Sequence, residues 1–227
     1  MEGPFNDPEV PDGERTTYRG LVGGEEAGTG QIGIVAEPDA YRQTVTALIA
    51  GRAGFRSETV FRRRSGTIHA ETHEMQTLDG EGPPVASEEV RFRGPKVVHW
   101  GGELESFPRD VTPLLGAALA LRGLELEKGA RRSFSAWVVS GIYWQVDSRV
   151  EKKEKLSLPA GELEAWRLRL RPSLEQVDKA LDSLVDSLMP PVVAHLEAEP
   201  PHRFLRLAFP TGPFKWNPPG LIEATGL

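Results

Sequence analysis

The sequence predicts a mainly β protein with two helices, in which a strongly curved antiparallel sheet or an incomplete β-barrel is closed by the helices. Apolar and polar residues alternate at period two in many short runs, as in half-buried strands. Glycine- and proline-containing turns separate those runs, as in hairpins. Long helices do not alternate with the runs, which argues against a doubly wound fold with parallel strands.

The clearest hairpin has its turn at Pro159–Ala160–Gly161, where proline and glycine suit a tight connection. After the turn, Leu168 and Leu170 alternate with arginines, so one row should face the core and the other row water. Before the turn, Glu151 to Lys155 is too polar for a central strand. We expect that segment to form a solvated edge or a projecting arm.

Further strands are predicted along the rest of the chain, first as a meander of short antiparallel strands and then in its second half. Glycine pairs and Ser-Gly turns mark the hairpin connections between the early strands. The predicted strands cover 16–22, 28–35, 41–50, 59–64, 67–78, 86–93, 96–100, 131–144 and 203–209.

Two helices are predicted among these strands. In the first, Thr112 suits the N-cap, Pro113 suits the first turn and Gly123 suits the end, and its apolar body indicates burial. The second runs from Leu174 to Met189, with one apolar stripe and a capping box that starts at Ser173.

The chain is predicted to form one β-rich domain over residues 14–209. Residues 1–13 form a loose leader before it, and residues 210–227 form a Pro- and Gly-rich tail that wraps the surface. The leader has no basic and apolar signal-peptide pattern, so a cytoplasmic location is expected, with an envelope location as the alternative if a signal has been removed.

Composition narrows the classes of function. A formal net charge of −6 argues against nucleic-acid binding, which needs a clustered positive surface. Cysteine is absent, which excludes disulfides, thiolate metal sites and cysteine nucleophiles. No apolar run approaches the roughly 18 residues that a membrane-spanning helix needs. No cofactor is predicted, and the oligomeric state is left open.

Two stretches resemble motifs for ligand chemistry. Gly28 to Gly33 matches G-x-G-x-x-G, but strand-like residues follow it where nucleotide binding needs a helix, so we interpret it as a bent strand. On a strand, His69, Glu71 and His73 would share one face and could hold a divalent metal. The simpler interpretation of these three is a solvated strand face, and it is the favoured one.

Tryptophan is abundant, with five in the chain. The favoured interpretation is that the indoles fill the core. The alternative is that Trp137, Trp144 and Trp166 line an apolar cavity, as in barrels that enclose one ligand.

Several short motifs resemble an uncharacterised bacterial domain-of-unknown-function family. Gly13 to Tyr18 is similar to its G-E-x-x-x-Y strand, which a Gly-rich hairpin follows, here Gly23 to Gly30. Pro159 to Trp166 is similar to its P-A-G hairpin, and Pro201 to Arg206 to its closing strand. The resemblance spans most of the chain and implies a curved sheet or open barrel, similar to envelope proteins that hold lipid-like molecules. It implies no catalytic residues.

Three functions follow as hypotheses. The first is non-catalytic binding of a hydrophobic or amphiphilic small molecule, with a few rim arginines for a carboxylate or phosphate head. The second is a cyclase or isomerase in the same cavity, metal-assisted if His69, Glu71 and His73 hold a metal. The third is a structural adaptor, which is favoured if no cavity exists.

Overall fold

The computed structural model describes residues 5–50, 53–80, 82–99, 101–104, 107–108, 111–139, 142–173, 191–212 and 216–227. These residues form one sheet of 16 strands. The strands are β1 (Phe5–Asn6), β2 (Glu14–Val22), β3 (Glu25–Glu37), β4 (Ala40–Ile49), β5 (Ala53–Arg64), β6 (Thr67–Asp79), β7 (Pro84–Arg93), β8 (Lys96–His99), β9 (Gly102–Leu104), β10 (Val111–Pro113), β11 (Arg131–Val139), β12 (Ile142–Leu158), β13 (Gly161–Ser173), β14 (Val192–Glu197), β15 (Phe204–Pro210) and β16 (Pro219–Gly226).

The sheet is curved and open, and nearly all of its pairs are antiparallel. Its strands follow the spatial order 10-11-12-13-14-15-16-2-3-4-5-6-7-8-9, and β1 pairs with β6 off that path. Only the short pair β10–β11 is parallel among the described strands. The predicted fold class, a strongly curved antiparallel sheet rather than a doubly wound fold, is therefore confirmed.

The organising hairpin forms as the sequence predicts. Leu158 pairs with Gly161 across the turn, and β13 buries Leu168 and Leu170 while Arg169 is exposed. Glu151 to Lys155 lies in β12 beyond the end of its pairing with β11, so within the described residues it pairs only with β13. That is the solvated edge expected of so polar a segment.

The first predicted helix is shorter than expected and starts later. Thr112 and Pro113 belong to β10, because they pair with β11. A 3₁₀ turn (Leu114–Gly116), helix α1 (Ala117–Ala120) and a second 3₁₀ turn (Leu121–Gly123) then follow, so the helical segment does end at Gly123. The second predicted helix, 174–189, lies outside the described residues.

The helical segment is held against the inner face of the sheet by Gln43 of β4. Its side-chain amide nitrogen, Nε2, donates to the Leu115 carbonyl at 2.6 Å, and its Oε1 accepts from the Leu119 backbone amide at 3.0 Å. Gln43 is fully buried, as are Leu119 and Ala120. The apolar body of the segment is therefore buried, as predicted from its composition.

Both ends of the chain differ from the expectation of a loose leader and a surface tail. Phe5 is buried, and β1 pairs with β6. β16 lies between β15 and β2, inside the path of the sheet, and buries Glu223 and Ala224. The run predicted as one strand over 131–144 is two strands, β11 and the start of β12.

β11 is covered on both faces, since Phe134, Ser135, Ala136 and Trp137 are all buried in succession. Phe134 and Ala136 pack into the main core with residues of β12, β13 and β14. Trp137 packs into a second cluster with Val90 of β7 and Val97 of β8. The two limbs of the curved sheet therefore meet at β11.

Candidate functional site

A β-bulge divides the three predicted metal ligands on β6. Val60 of β5 pairs with Thr72 and Phe61 pairs with Ala70, so Glu71 has no partner in the register. A bulge residue reverses the in–out alternation that follows it. Ile68 and Ala70 are buried before the bulge, and His73 is buried after it. His73 therefore points to the face opposite His69 and Glu71.

The outer pair is engaged in other interactions. Arg62 donates from Nε to Glu71 Oε2 at 2.7 Å. His69 is half-buried, and burial together with nearby Arg64 lowers the pKa of its imidazole. No group of three or more His, Cys, Asp or Glu side chains is arranged to hold a metal within the described residues. The structure thus does not bring His69, Glu71 and His73 together.

His73 lies on the inner face in a polar row. Its Nδ1 lies 2.9 Å from Thr59 Oγ1, and both side chains are buried. Burial lowers the pKa of His73 to about 4, since desolvation disfavours the charged imidazolium. His73 is therefore a neutral hydrogen-bonding group at neutral pH.

A second polar pair lies two strands away on the same face. His99 Nε2 of β8 lies 2.7 Å from Glu88 Oε1 of β7, and both side chains are buried. The Trp137 ring meets His99 edge to face, with 5.4 Å between centroids. The Trp137 Nε1 atom is buried and has no hydrogen-bond partner among the described residues.

A cleft of about 380 Å³ opens beside the bulge, where β7 diverges from β6. Residues 71–74 and 91–93 line it, with Glu58 and Glu89. Three of its glutamates form ion pairs: Glu89 with Arg91 at 2.7 Å in the lining itself, and Glu58 and Glu71 with Arg42 and Arg62 of the neighbouring strands. This pairing leaves little free charge to attract an ionic ligand.

The three predicted ligand-lining tryptophans lie in different environments. Trp137 is buried in the second core cluster, between Phe92, His99 and Phe107. Trp144 is 42% exposed. Trp166 packs at the edge of the main core, and Lys153 Nζ lies 4.7 Å from its ring centroid. The described residues do not place the three around one cavity.

A second cleft, which we call the mouth cleft, lies where the two limbs of the sheet approach each other. Its volume is about 370 Å³. One side is the β5–β6 turn, the other is the start of β11 with β12, and the end of the helical segment lies between them. The lining residues are Asn6, 65–67, 123–125, 130–132, Ser148 and Val150.

The mouth cleft combines apolar and cationic groups. Leu124 and Val150 are buried apolar side chains of its wall, and Arg131 and Arg132 are exposed. Ser148 Oγ donates to the Arg132 carbonyl at 2.7 Å, which ties β12 to β11 at this point. Within the described part of the chain, neither arginine has a carboxylate within ion-pair distance. The cleft can therefore contact an apolar chain and an anionic group together.

The sequence alone shows Arg131 and Arg132 as a short basic run and does not place them at a cleft. It does not indicate the pairing of Glu88 with His99 either. The available signal was the Arg-Arg dipeptide at a strand start, directly after the Glu127–Ala130 turn. The elements that lie near this dipeptide across the sheet depend on the curvature of the whole sheet, and no local sequence pattern indicates that curvature.

The fold and the mouth cleft define a curved, barrel-like antiparallel sheet protein with a mixed cleft at its opening. This architecture is similar to that of a β-barrel-like protein with the domain of unknown function DUF1849 from Brucella abortus. The TM-score is 0.56 at 8% identity, over 93% of this chain and 95% of that one. The comparison shows the fold alone, and at that level it confirms the resemblance to an uncharacterised bacterial domain family.

Two other structures align over nearly the whole chain, but at TM-scores too low to carry an argument. One is named as an exported protein with a YmcC-like fold from Bacteroides fragilis, with 7% identity, a TM-score of 0.36 and 98% coverage of each chain. The other is named as a lipoprotein from Parabacteroides distasonis, with 9% identity, a TM-score of 0.30 and coverage of 100% of this chain and 98% of that one.

No protein-family model matches the sequence, and no curated protein matches it. Among the described helices, none is long and apolar enough to cross a membrane. The expected cytoplasmic location gains no support from these comparisons.

Proposed function

We propose that the chain is a non-catalytic binding protein for a small amphiphilic molecule with an anionic head, which it holds at the mouth cleft. The observation that carries this proposal is the pairing of two exposed arginines with an apolar wall in one cleft of about 370 Å³. Ligand sites have volumes of roughly 300–1,000 Å³ and are commonly found at the mouths of barrels.

Each part of the cleft has a role in this proposal. Ala130 and the small accessible part of Leu124 contact the apolar chain, and binding is favoured by the apolar surface removed from water. Arg132 lies opposite buried Ser148 and donates charge-assisted hydrogen bonds to a carboxylate or phosphate head, while Arg131, on the other face of β11, adds positive charge at the rim of the cleft. Glu125 is the one carboxylate in the lining, and it favours ligands whose head reaches the arginine side.

The test is a calorimetric titration with three probes below their micelle concentrations. Dodecyl phosphate has both the tail and the anionic head, dodecyl maltoside has the tail with an uncharged head, and inorganic phosphate is the head alone. We expect dodecyl phosphate to bind at least about tenfold more tightly than either of the others, because only it uses both halves of the cleft. Equal affinity for the two dodecyl probes would contradict the proposal.

The matched variants are R131Q/R132Q and R15Q/R56Q. Each removes two positive charges from exposed strand positions, and within the described residues none of the four arginines has an ion-pair partner. R131Q/R132Q should weaken dodecyl phosphate binding about tenfold or more, and R15Q/R56Q should leave it unchanged. An equal loss in both variants would assign the effect to net charge rather than to the cleft.

The enzyme alternative has one supporting observation, the buried Thr59–His73 hydrogen bond beside the bulge cleft. An imidazole with one nitrogen engaged can use the other as a general base. A pKa of about 4 makes His73 a weak base at neutral pH, however. The non-catalytic proposal is therefore the stronger one.

A further inference from the structure

Three arginines lie directly opposite one another on three adjacent strands. Arg131 of β11 pairs with Arg149 of β12, which pairs with Arg169 of β13. Strands are about 4.8 Å apart, so this arginine row spans about 10 Å. The neighbouring residues Val150 and Leu168 are buried in the core, so the arginine row lies on the outer face, and all three of its residues are exposed.

The positive charge of the arginine row is not neutralised by ion pairs with described residues of the chain. Within the part of the chain that the structure describes, none of its three guanidinium groups has a carboxylate within ion-pair distance. The acids two positions before and after Arg149 on β12 are engaged elsewhere, since Asp147 accepts from Ser133 and Glu151 accepts from Arg167 at 2.7 Å. Like charges directly opposite on a sheet destabilise it, so this arrangement favours an external anion.

The other limb of the same sheet shows the contrast. There, outward arginines form ion pairs with glutamates of the next strand: Arg42 of β4 with Glu58 of β5, and Arg62 of β5 with Glu71 of β6. The net charge of the chain is −6, so the arginine row is a positively charged patch on an otherwise acidic molecule.

We propose that the arginine row docks the protein on an anionic lipid bilayer. The row lies on an exposed outer sheet face, and an extended anionic surface can meet all three guanidinium groups at once. Arg131 belongs both to the row and to the mouth cleft, so docking would bring the cleft to the membrane surface. The choice of a bilayer over another polyanion rests on the proposed amphiphile binding, because a bilayer is the reservoir of such molecules.

The test is sedimentation with large unilamellar vesicles, using R149Q/R169Q. This variant removes the two row arginines that do not line the cleft, so the binding of dodecyl phosphate should persist in it. Vesicles of phosphatidylcholine alone are compared with vesicles that contain roughly one third phosphatidylglycerol. The matched control is again R15Q/R56Q, and circular dichroism and thermal unfolding check that all variants fold.

We expect the wild type to sediment with the anionic vesicles and to be released as salt is raised from about 0.1 M to about 0.5 M. R149Q/R169Q should bind them roughly tenfold more weakly, and R15Q/R56Q should bind like the wild type. Equal sedimentation with both vesicle types would overturn the proposal, as would equal losses in the two variants. Tighter binding to a short DNA duplex than to the anionic vesicles would also overturn it. If R149Q/R169Q loses vesicle binding but still binds dodecyl phosphate, membrane docking is a function of the arginine row and not of the mouth cleft.

Discussion

His99 Nε2 lies 2.7 Å from Glu88 Oε1, and the two side chains are 7% and 5% exposed. The pair joins β7 to β8 on the inner face of the sheet. Trp137 of β11 meets His99 edge to face from the other limb, so the pair lies where the two limbs of the curved sheet meet.

Glu88→Ala should lower the free energy of unfolding by about 3 kcal/mol, because it leaves His99 buried without its carboxylate partner. The matched control is Glu89→Ala at the next position, where the carboxylate is 60% exposed and pairs with Arg91. That change should cost less than about 1 kcal/mol. Urea unfolding at neutral pH measures the free energy of unfolding of both variants. Equal losses would show that the buried Glu88–His99 contact stabilises the fold no more than the exposed Glu89–Arg91 pair.

Stability should fall as the pH is lowered from 7 to 5. The pKa of His73 is about 4 in the fold against 6.5 in the unfolded chain, so the unfolded state takes up the proton first. The contribution of buried, neutral His73 to the free energy of unfolding is fully present above pH 6.5. It is lost progressively toward pH 4, with about 2 kcal/mol lost by pH 5. The pKa values of His69 and His195 are also lowered, and they act with the same sign.

His73→Asn should reduce this pH dependence, since asparagine can still bond to Thr59 but does not titrate. Urea unfolding at several pH values measures the slope for both proteins. An unchanged slope in His73→Asn would mean that His73 is not a buried neutral imidazole.

The bulge at Glu71 predicts unequal effects for two histidines of the same strand. His73→Ala should destabilise the fold by about 2 kcal/mol, because it leaves a void and an unpartnered Thr59 hydroxyl in the inner face. His69→Ala removes a half-buried outer side chain and should cost less than about 1 kcal/mol. Thermal unfolding compares them, and similar shifts would place both side chains on one face after all.

Removal of residues 211–227 should prevent cooperative folding. β16 lies between β15 and β2, so its loss divides the sheet in the middle and exposes two long edges. Removal of Leu227 alone leaves β16 intact and serves as the control. Far-UV circular dichroism and a urea melt give the result. A cooperative melt of the longer truncation would show that residues 211–227 are dispensable for folding.

Much of the fold could be predicted from local pattern. Alternation in β13 placed Leu168 inward and Arg169 outward, and the Pro159–Gly161 turn set the register of the hairpin. Signals of this kind lie within a few residues of one another. β16 could not be predicted from local pattern because prolines and glycines surround it, and its place between β15 and β2 is fixed by partners distant in sequence.

The site was less predictable than the fold. The sequence shows His69, Glu71 and His73 at even spacing, but one bulge residue reverses the face of His73, and no local motif marks the bulge. In the sequence, Arg131 and Arg132 form an ordinary basic dipeptide that does not indicate a binding site. Their cleft exists because curvature brings the β5–β6 turn near β11, which is a property of the whole sheet.

The most direct test of amphiphile binding at the mouth cleft is hydrogen–deuterium exchange with and without dodecyl phosphate. Binding there should slow exchange in residues 65–67, 123–125 and 130–132, which line the cleft from both limbs. Protection confined to residues 71–74 and 91–93 would place the ligand at the bulge cleft instead and contradict binding at the mouth cleft. No protection in either region at a saturating probe concentration would contradict the binding function itself.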